Sequence, residues 1–235
     1  MQRHIITTAD GSKTIQIEEW NEQYHSIHGA IQEANHVYIK HGLLFSLDHK
    51  GFSKSDLEDD NSRELSILEI GFGTGLNSFL TLIEAEKYAV DIHYCGVEAF
   101  PITVEEMEAL NYVEELQADD KKAVFVELHS SPWEKDIQLT AQFKLHKQQK
   151  LFKDITANNQ FNLIYFDAFG ARVQPELWTE EIFRIMFTAL KSNGVLVTYA
   201  AKGSVRRAMQ EVGFSVEKLP GPPGKREMLR ATKEV

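Results

Sequence analysis

Three glycines and three acids carry the chemistry legible in this chain. Gly71, Gly73 and Gly75 stand at alternate positions after the apolar run Ile67-Leu68-Glu69-Ile70, and Leu76-Asn77 follows them. Glycine has no Cβ and enters φ > 0 freely, so such a run lets the backbone turn tightly and lie against a ligand. The helix that follows aims its first N–H groups at the same ligand. A strand, a glycine turn and a helix in that order read as a site for a nucleotide-type cofactor. A turn that only connects strand to helix is the plainer alternative at this point.

Spacing and charge discriminate between cofactors. A dinucleotide fingerprint requires G-x-G-x-x-G, whereas here the pattern is G-x-G-x-G and Leu76 occupies the third glycine's place. Glu69 lies two residues before Gly71. Beside a pyrophosphate that acid is repelled, but it suits S-adenosyl-L-methionine, which carries an α-ammonium and a sulfonium and no phosphate. Glu98 lies 27 residues after Gly71, at the end of Ile92-His93-Tyr94-Cys95-Gly96-Val97, where a carboxylate can accept from both ribose hydroxyls. Asp167 ends Phe161-Asn162-Leu163-Ile164-Tyr165-Phe166. Ligands of open α/β sheets lie beyond the carboxyl ends of the strands, so Asp167 falls at the mouth of the site.

The elements that must position these residues alternate strand and helix from Leu65 onward, the signature of a doubly wound, mostly parallel sheet. Leu76, Phe79, Leu80 and Ile83 recur at helical spacing, as do Leu177, Trp178, Ile182, Ile185, Met186 and Leu190 after Pro175. Asn193-Gly194 is expected to end that second helix through a left-handed cap. Trp178 and the Met186 row read as core. Residues 114–160 suggest a β-rich insertion with strands at Ala123–Leu128 and Ala141–Leu145. Phe214–Lys218 and Arg226–Thr232 flank a Pro/Gly loop and read as an antiparallel hairpin on the sheet edge. Ahead of all this, Ile5–Thr8 and Lys13–Ile17 flank Asp10-Gly11, a strong hairpin signal. The polar residues 48–64 read as a surface connection. We therefore expect an N-terminal extension over 1–60 and the main domain over 61–235.

Composition narrows the class further. A chain of 235 residues with 43% hydrophobic content can bury one full α/β core. No apolar run approaches the ~18 residues of a spanning helix, and no apolar stretch behind Met1-Gln2-Arg3-His4 suggests a signal peptide. Cys95 is the single cysteine and reads as a small buried hydrophobe, so a cytoplasmic setting is expected. His25 and His28, the one close histidine pair, lack acidic or cysteine partners at ligand spacing, and no metal is expected. The net charge is −10, yet residues 201–235 are net +4, leaving −14 for the rest. A basic patch on an acidic body is compatible with a nucleic-acid partner.

Several blocks together resemble one family, the methyltransferase domain of the bifunctional tRNA modification enzyme MnmC and its stand-alone relatives. Leu68-Glu69-Ile70-Gly71-Phe72-Gly73-Thr74-Gly75-Leu76-Asn77 is similar to the family's glycine loop, Phe72 and Leu76-Asn77 being more specific than the glycines alone. Asp167-Ala168-Phe169-Gly170 with Pro175-Glu176-Leu177-Trp178 resembles its Asp-Gly-Phe…Pro…Trp block. Val205–Phe214 with Gly224-Lys225-Arg226-Glu227-Met228-Leu229 is similar to its C-terminal signature, and Gly29–Glu33 with Val37-Tyr38-Ile39 to its N-terminal block. The chain departs from the pattern at Leu145-His146-Lys147-Gln148-Gln149, which lacks the family's acid, and at Ala168 and Gly170-Ala171.

The resemblance implies a Rossmann-like class I fold, with a mostly parallel seven-stranded sheet and an antiparallel C-terminal edge hairpin. It implies S-adenosyl-L-methionine held by Glu69, Gly71, Phe72, Gly73, Gly75, Asn77, Glu98 and Ala99. It implies methylation of the exocyclic amine of 5-aminomethyl-(2-thio)uridine at the tRNA wobble position, by a monomer without the FAD-dependent oxidase domain of bifunctional members. Asp167 is then expected to orient the amine and take its proton, while Arg206, Arg207, Lys225 and Arg226 hold tRNA phosphates. Two rivals stay open: a methyltransferase acting on a small molecule or protein, and a protein that binds S-adenosyl-L-methionine without catalysis.

Overall fold

The computed structural model describes residues 2–48 and 63–234. The polar connection expected over 48–64 falls almost wholly outside them. A small antiparallel sheet opens the chain, built from β1 (Arg3–Thr7), β2 (Lys13–Ile17) and β3 (Glu22–Gln23) in that order. The β1–β2 hairpin turns at Asp10-Gly11 as expected, with Gly11 at φ 88°.

A helical stretch follows: α1 (Ala30–Ala34), a π-helical segment (Asn35–Leu44) and α2 (Phe45–Asp48). Ala30, Ala34, Val37, Tyr38 and Leu43 enter the main core from it. Gly42 makes the close approach feasible, because a Cβ there would stand 3.0 Å from both Tyr165 and Val197. Wider π-helical turns are uncommon and recur at functional sites; this one carries Tyr38.

The main sheet contains β4 (Arg63–Ile70), β5 (Val90–Val97), β6 (Asp136–Thr140), β7 (Phe143–Gln148), β8 (Phe161–Phe166), β9 (Leu190–Thr198), β10 (Ser215–Pro220) and β11 (Glu227–Thr232). Their spatial order is β10-β11-β9-β8-β4-β5-β7-β6. The five central strands run parallel, while β6, β10 and β11 are antiparallel to their neighbours. The expected fold class and C-terminal edge hairpin are therefore present. The sheet has eight strands among the described residues rather than seven, the addition being β6, so an antiparallel hairpin closes each edge.

Helices α3 (Leu76–Tyr88), α4 (Val104–Glu108), α5 (Tyr112–Glu115), α6 (Lys122–Ser130), α7 (Glu180–Ala189) and α8 (Gly203–Glu211) cover the two faces. Two readings need correction. Ala123–Leu128, expected as a strand on its β-branched content, lies in α6: Phe125 and Leu128 are buried one turn apart while Val126 is exposed, a helical rather than an alternating pattern. The helix after Pro175 is split, with a 3₁₀ turn (Pro175–Trp178) and then α7, started by Thr179 accepting from the Ile182 N–H. It stops at Ala189, and Leu190 passes directly into β9; Asn193, at φ 62°, bends that strand instead of capping a helix.

A ten-residue helix such as α7 is marginal in isolation. Burial of Ile182, Phe183 and Met186 fixes it, each large side chain contributing about 1.5–3 kcal/mol. Trp178 packs with its ring 5.0 Å from Phe166, in the core as expected. Cys95 is also buried, and burial pushes its thiol up to about 12. Strand β4 lies between β5 and β8, where the winding of the sheet reverses, and the crevice beyond its carboxyl end receives both Gly71 and Asp167.

Candidate active site

The glycine turn takes the conformation that its composition allows. Gly71, Gly73 and Gly75 have φ of 88°, 49° and 69°. At Gly71 the requirement is strict, since a Cβ would lie 2.6 Å from the backbone oxygen of Asp167. The same tight junction joins β4 to β8 through the Asp167 N–H, which donates to the Ile70 carbonyl at 2.9 Å. No side chain caps α3, so its first N–H groups face the crevice.

Glu98 sits partly exposed where β5 ends. Its Oε2 accepts from the Gly73 N–H at 3.1 Å and its Oε1 from the Phe100 N–H at 2.9 Å. These bonds fix the carboxylate and leave a lone pair on each oxygen for two vicinal hydroxyls. Ala99 follows, partly exposed. Phe72 lies within the turn itself. Its ring is buried against Gly96, where a Cβ would stand 2.3 Å from it, and faces His129 and Trp133 edge-on. It supports the turn from beneath.

Asp167, Asn77 and Glu69 form one network. Asn77 Nδ2 donates to Asp167 Oδ2 at 2.8 Å and to Glu69 Oε1 at 2.9 Å. Glu69 is fully buried, and burial drives its carboxyl well above the usual carboxylate range. Its Oε2 and the Asn77 Oδ1 have no hydrogen-bond partner. Asp167 is partly exposed at the mouth, and burial pushes it up to about 7 against the stabilising amide of Asn77. The Tyr38 hydroxyl faces the Asp167 carboxylate but meets no partner at full hydrogen-bond geometry.

The N-terminal sheet roofs this site, which the sequence did not disclose. Tyr24 covers Gly73, its ring 3.0 Å from where a Cβ would project, and meets Phe169 edge-on at 4.9 Å. His25 Nε2 and the Tyr112 hydroxyl bond Thr74 Oγ1 at 2.8 and 3.1 Å. Burial lowers His25 to about 4, so it is neutral near pH 7. Arg172 clasps the β2–β3 turn through the carbonyls of Trp20 and Asn21 and the carboxylate of Glu22.

Beyond β8 and β9 a cavity of about 540 Å³ opens, lined in part by Tyr199, Lys202, Lys225 and Arg226. Of the basic residues singled out in the sequence, Lys225 and Arg226 line it, while Arg206 and Arg207 lie on α8 outside its lining. Arg226 and Arg207 are exposed, and Arg206 is partly buried with its Nε lacking a partner. Lys225 turns inward, pairs with the buried Glu33, and lies 4.3 Å over the Tyr199 ring.

Lys147, where the family pattern has an acid, is 1% exposed. Its Nζ donates to the His129 carbonyl at 2.6 Å and lies 4.9 Å over Trp133. Burial lowers it to about 8. No cluster of three or more His, Cys, Asp or Glu residues able to hold a metal occurs among the described residues, nor a helix long and apolar enough to cross a membrane.

The donor set fits S-adenosyl-L-methionine. Glu98 offers two fixed acceptors for a ribose, the turn brings bare backbone to the crevice, and the unpartnered Asn77 oxygen suits a cationic neighbour. Comparison with known proteins agrees. A family described as "S-adenosyl-L-methionine-dependent methyltransferase" matches residues 108–234. The tRNA 5-methylaminomethyl-2-thiouridine biosynthesis bifunctional protein MnmC of Hydrogenovibrio crunogenus is 30% identical over 221 residues, covering 89% of this chain. The chain spans only 31% of that relative's length. The crystal structure of MNMC2 from Aquifex aeolicus superposes with a TM-score of 0.76 at 22% identity, covering 100% of this chain and 71% of that one. By the family match, which spans more than half of its length, the chain belongs to the S-adenosyl-L-methionine-dependent methyltransferases.

Proposed function

We propose that this methyltransferase acts on tRNA, converting 5-aminomethyl-(2-thio)uridine at the wobble position to 5-methylaminomethyl-(2-thio)uridine. The observation that carries the reading is Asp167, a carboxylate held near neutrality beside a cavity with a basic rim. The similarity to a protein named for tRNA 5-methylaminomethyl-2-thiouridine biosynthesis supplies the substrate. In this reading residues 1–60 are an extension that roofs the transferase domain of 61–235, and the enzyme works as a cytoplasmic monomer.

When bound, S-adenosyl-L-methionine supplies an electrophilic methyl group. Gly71, Gly73, Gly75 and Glu98 would hold it, with the Glu69–Asn77 pair beneath them. The chain's own task is alignment, because a displacement at carbon gains most from fixed geometry. A nucleophilic amine must be neutral to offer its lone pair. Asp167 accepts a hydrogen bond from that nitrogen, orients it and takes up its proton; a base that titrates near the working pH does this best. Asn77 fixes the carboxylate, and Tyr24 with Phe169 keeps water from the crevice. Arg206, Arg207 and Arg226 would grip phosphates, giving affinity without reading sequence.

Nucleoside mass spectrometry of tRNA incubated with enzyme and S-adenosyl-L-methionine tests the proposal. Conversion of the aminomethyl nucleoside to its methylated form is expected. Its accumulation unchanged, with cofactor binding intact, would refute the substrate.

A further inference from the structure

Lys225 stands apart from the other basic residues at the cavity. It comes from the loop between β10 and β11, yet its ammonium reaches across to α1 and pairs with Glu33, 192 residues earlier. Glu33 is only 5% exposed, and its second oxygen accepts from the Ser26 N–H at 2.8 Å. The ammonium also lies on the Tyr199 ring, whose hydroxyl donates to the Ala168 carbonyl at 2.8 Å, one residue after Asp167. An ammonium with its charge spent on a buried carboxylate and a ring face is poorly placed to bind a phosphate.

We propose, resting on the methyl-transfer reading above, that Lys225 is a positioning residue of the catalytic site and not a phosphate contact. It neutralises Glu33 and ties α1 to Tyr199 and, through the Tyr199 hydroxyl, to Ala168, so that Asp167 remains the group that receives the amine's proton. Every element packed against Asp167 contributes to this balance. Glu33 comes from α1, Tyr38 from the π-helical segment, Asn77 from α3, Glu69 from β4 and Tyr199 from the end of β9. Tyr94 and Tyr112 face it from farther off. Lys225 is the cation in that set. It pulls Asp167 down, while Glu33 pushes it up. Loss of the ammonium removes the downward pull, so Asp167 moves upward.

The test combines carbon-13 NMR titration of the Asp167 carboxyl, assigned through Asp167→Asn, with tRNA kinetics. Lys225→Met is expected to raise the Asp167 midpoint by about one pH unit, the size of shift that a nearby charge produces. The acid limb of kcat should move with it, with KM for tRNA changing less than about two-fold and an unaltered salt slope. Lys225→Arg should restore the wild-type midpoint, and Glu33→Gln should lower it. A folded Lys225→Met with an unmoved midpoint would overturn the proposal. So would a rise in KM accompanied by a salt slope lower by about one, the mark of a lost phosphate contact. If Lys225→Met does not fold, the arginine and Glu33→Gln variants decide between the same outcomes. The NMR measurement needs no substrate, so wild-type enzyme inert on tRNA would refute the functional reading and leave this result standing or falling separately.

Discussion

The amide nitrogen of Asn77 lies 2.8 Å from Asp167 Oδ2, joining the first turn of the helix after the glycine loop to the end of a strand 90 residues later. The same nitrogen serves Glu69, so one amide satisfies two carboxyls of different character. Glu69 is sealed and held above the usual range, whereas Asp167 titrates near neutrality at the mouth. Environments that separate two acids in this way assign their roles.

Asn77→Ala should damage both. It leaves a buried oxygen of Glu69 without its donor, a loss of about 1–3 kcal/mol that urea unfolding will report. It also removes a bond that lowers Asp167, so the acid limb of the rate profile should move to higher pH.

Asp167 itself predicts two opposite pH dependences. Its folded value of about 7 exceeds the ordinary 3.8, so between those values the folded chain binds more protons than the unfolded one. Ionisation therefore costs stability progressively as pH rises from about 4 to about 7. Asp167→Asn should melt higher than wild type at pH 8, with the advantage gone below pH 4, as calorimetry will show. Activity runs the other way. Methyl transfer by the wild type should fall as pH drops through about 7, and the asparagine variant should lose about 10²–10⁴-fold in kcat.

Glu98→Ala should weaken S-adenosyl-L-methionine. Two hydrogen bonds to a charged acceptor are lost, along with the tether on Gly73, and a loss of about 1.5–3 kcal/mol corresponds to about 10–100-fold in Kd by titration calorimetry. Unchanged affinity would place the ribose elsewhere.

Gly71→Ala should be the most damaging change in the turn. The new methyl meets the Asp167 carbonyl at 2.6 Å in a backbone conformation of φ 88° that alanine avoids. A penalty of about 1–3 kcal/mol in stability is expected from that conformation alone, read from the urea midpoint.

Arg226→Ala, by contrast, should leave cofactor affinity alone and reduce the salt slope of tRNA binding by about one, measured by filter binding at several ionic strengths.

What the sequence discloses and what it withholds divides along chain distance. The turn at Gly71–Gly75, the acid at Glu98 and the strand end at Asp167 are legible because each sits at a fixed offset from an apolar run. Residues 122–130 mislead because Val124, Phe125 and Val126 favour strands, yet Phe125 is buried, 5.0 Å from Phe79, while Val126 next to it is exposed. Glu33, Tyr38 and Tyr24 carry no local signal as site residues, because their roles exist only once the N-terminal elements fold over the sheet. Lys225 reads as part of a basic patch, and only the position of Glu33 turns it inward.

That pairing joins two distant parts of the chain at the cavity. His36 Nε2 bonds the Pro220 carbonyl at 2.8 Å, Glu33 meets Lys225, and β11 pairs with β9. The wall that carries Lys225 is thus assembled from segments 192 residues apart in the chain. Neither segment forms that wall without the other.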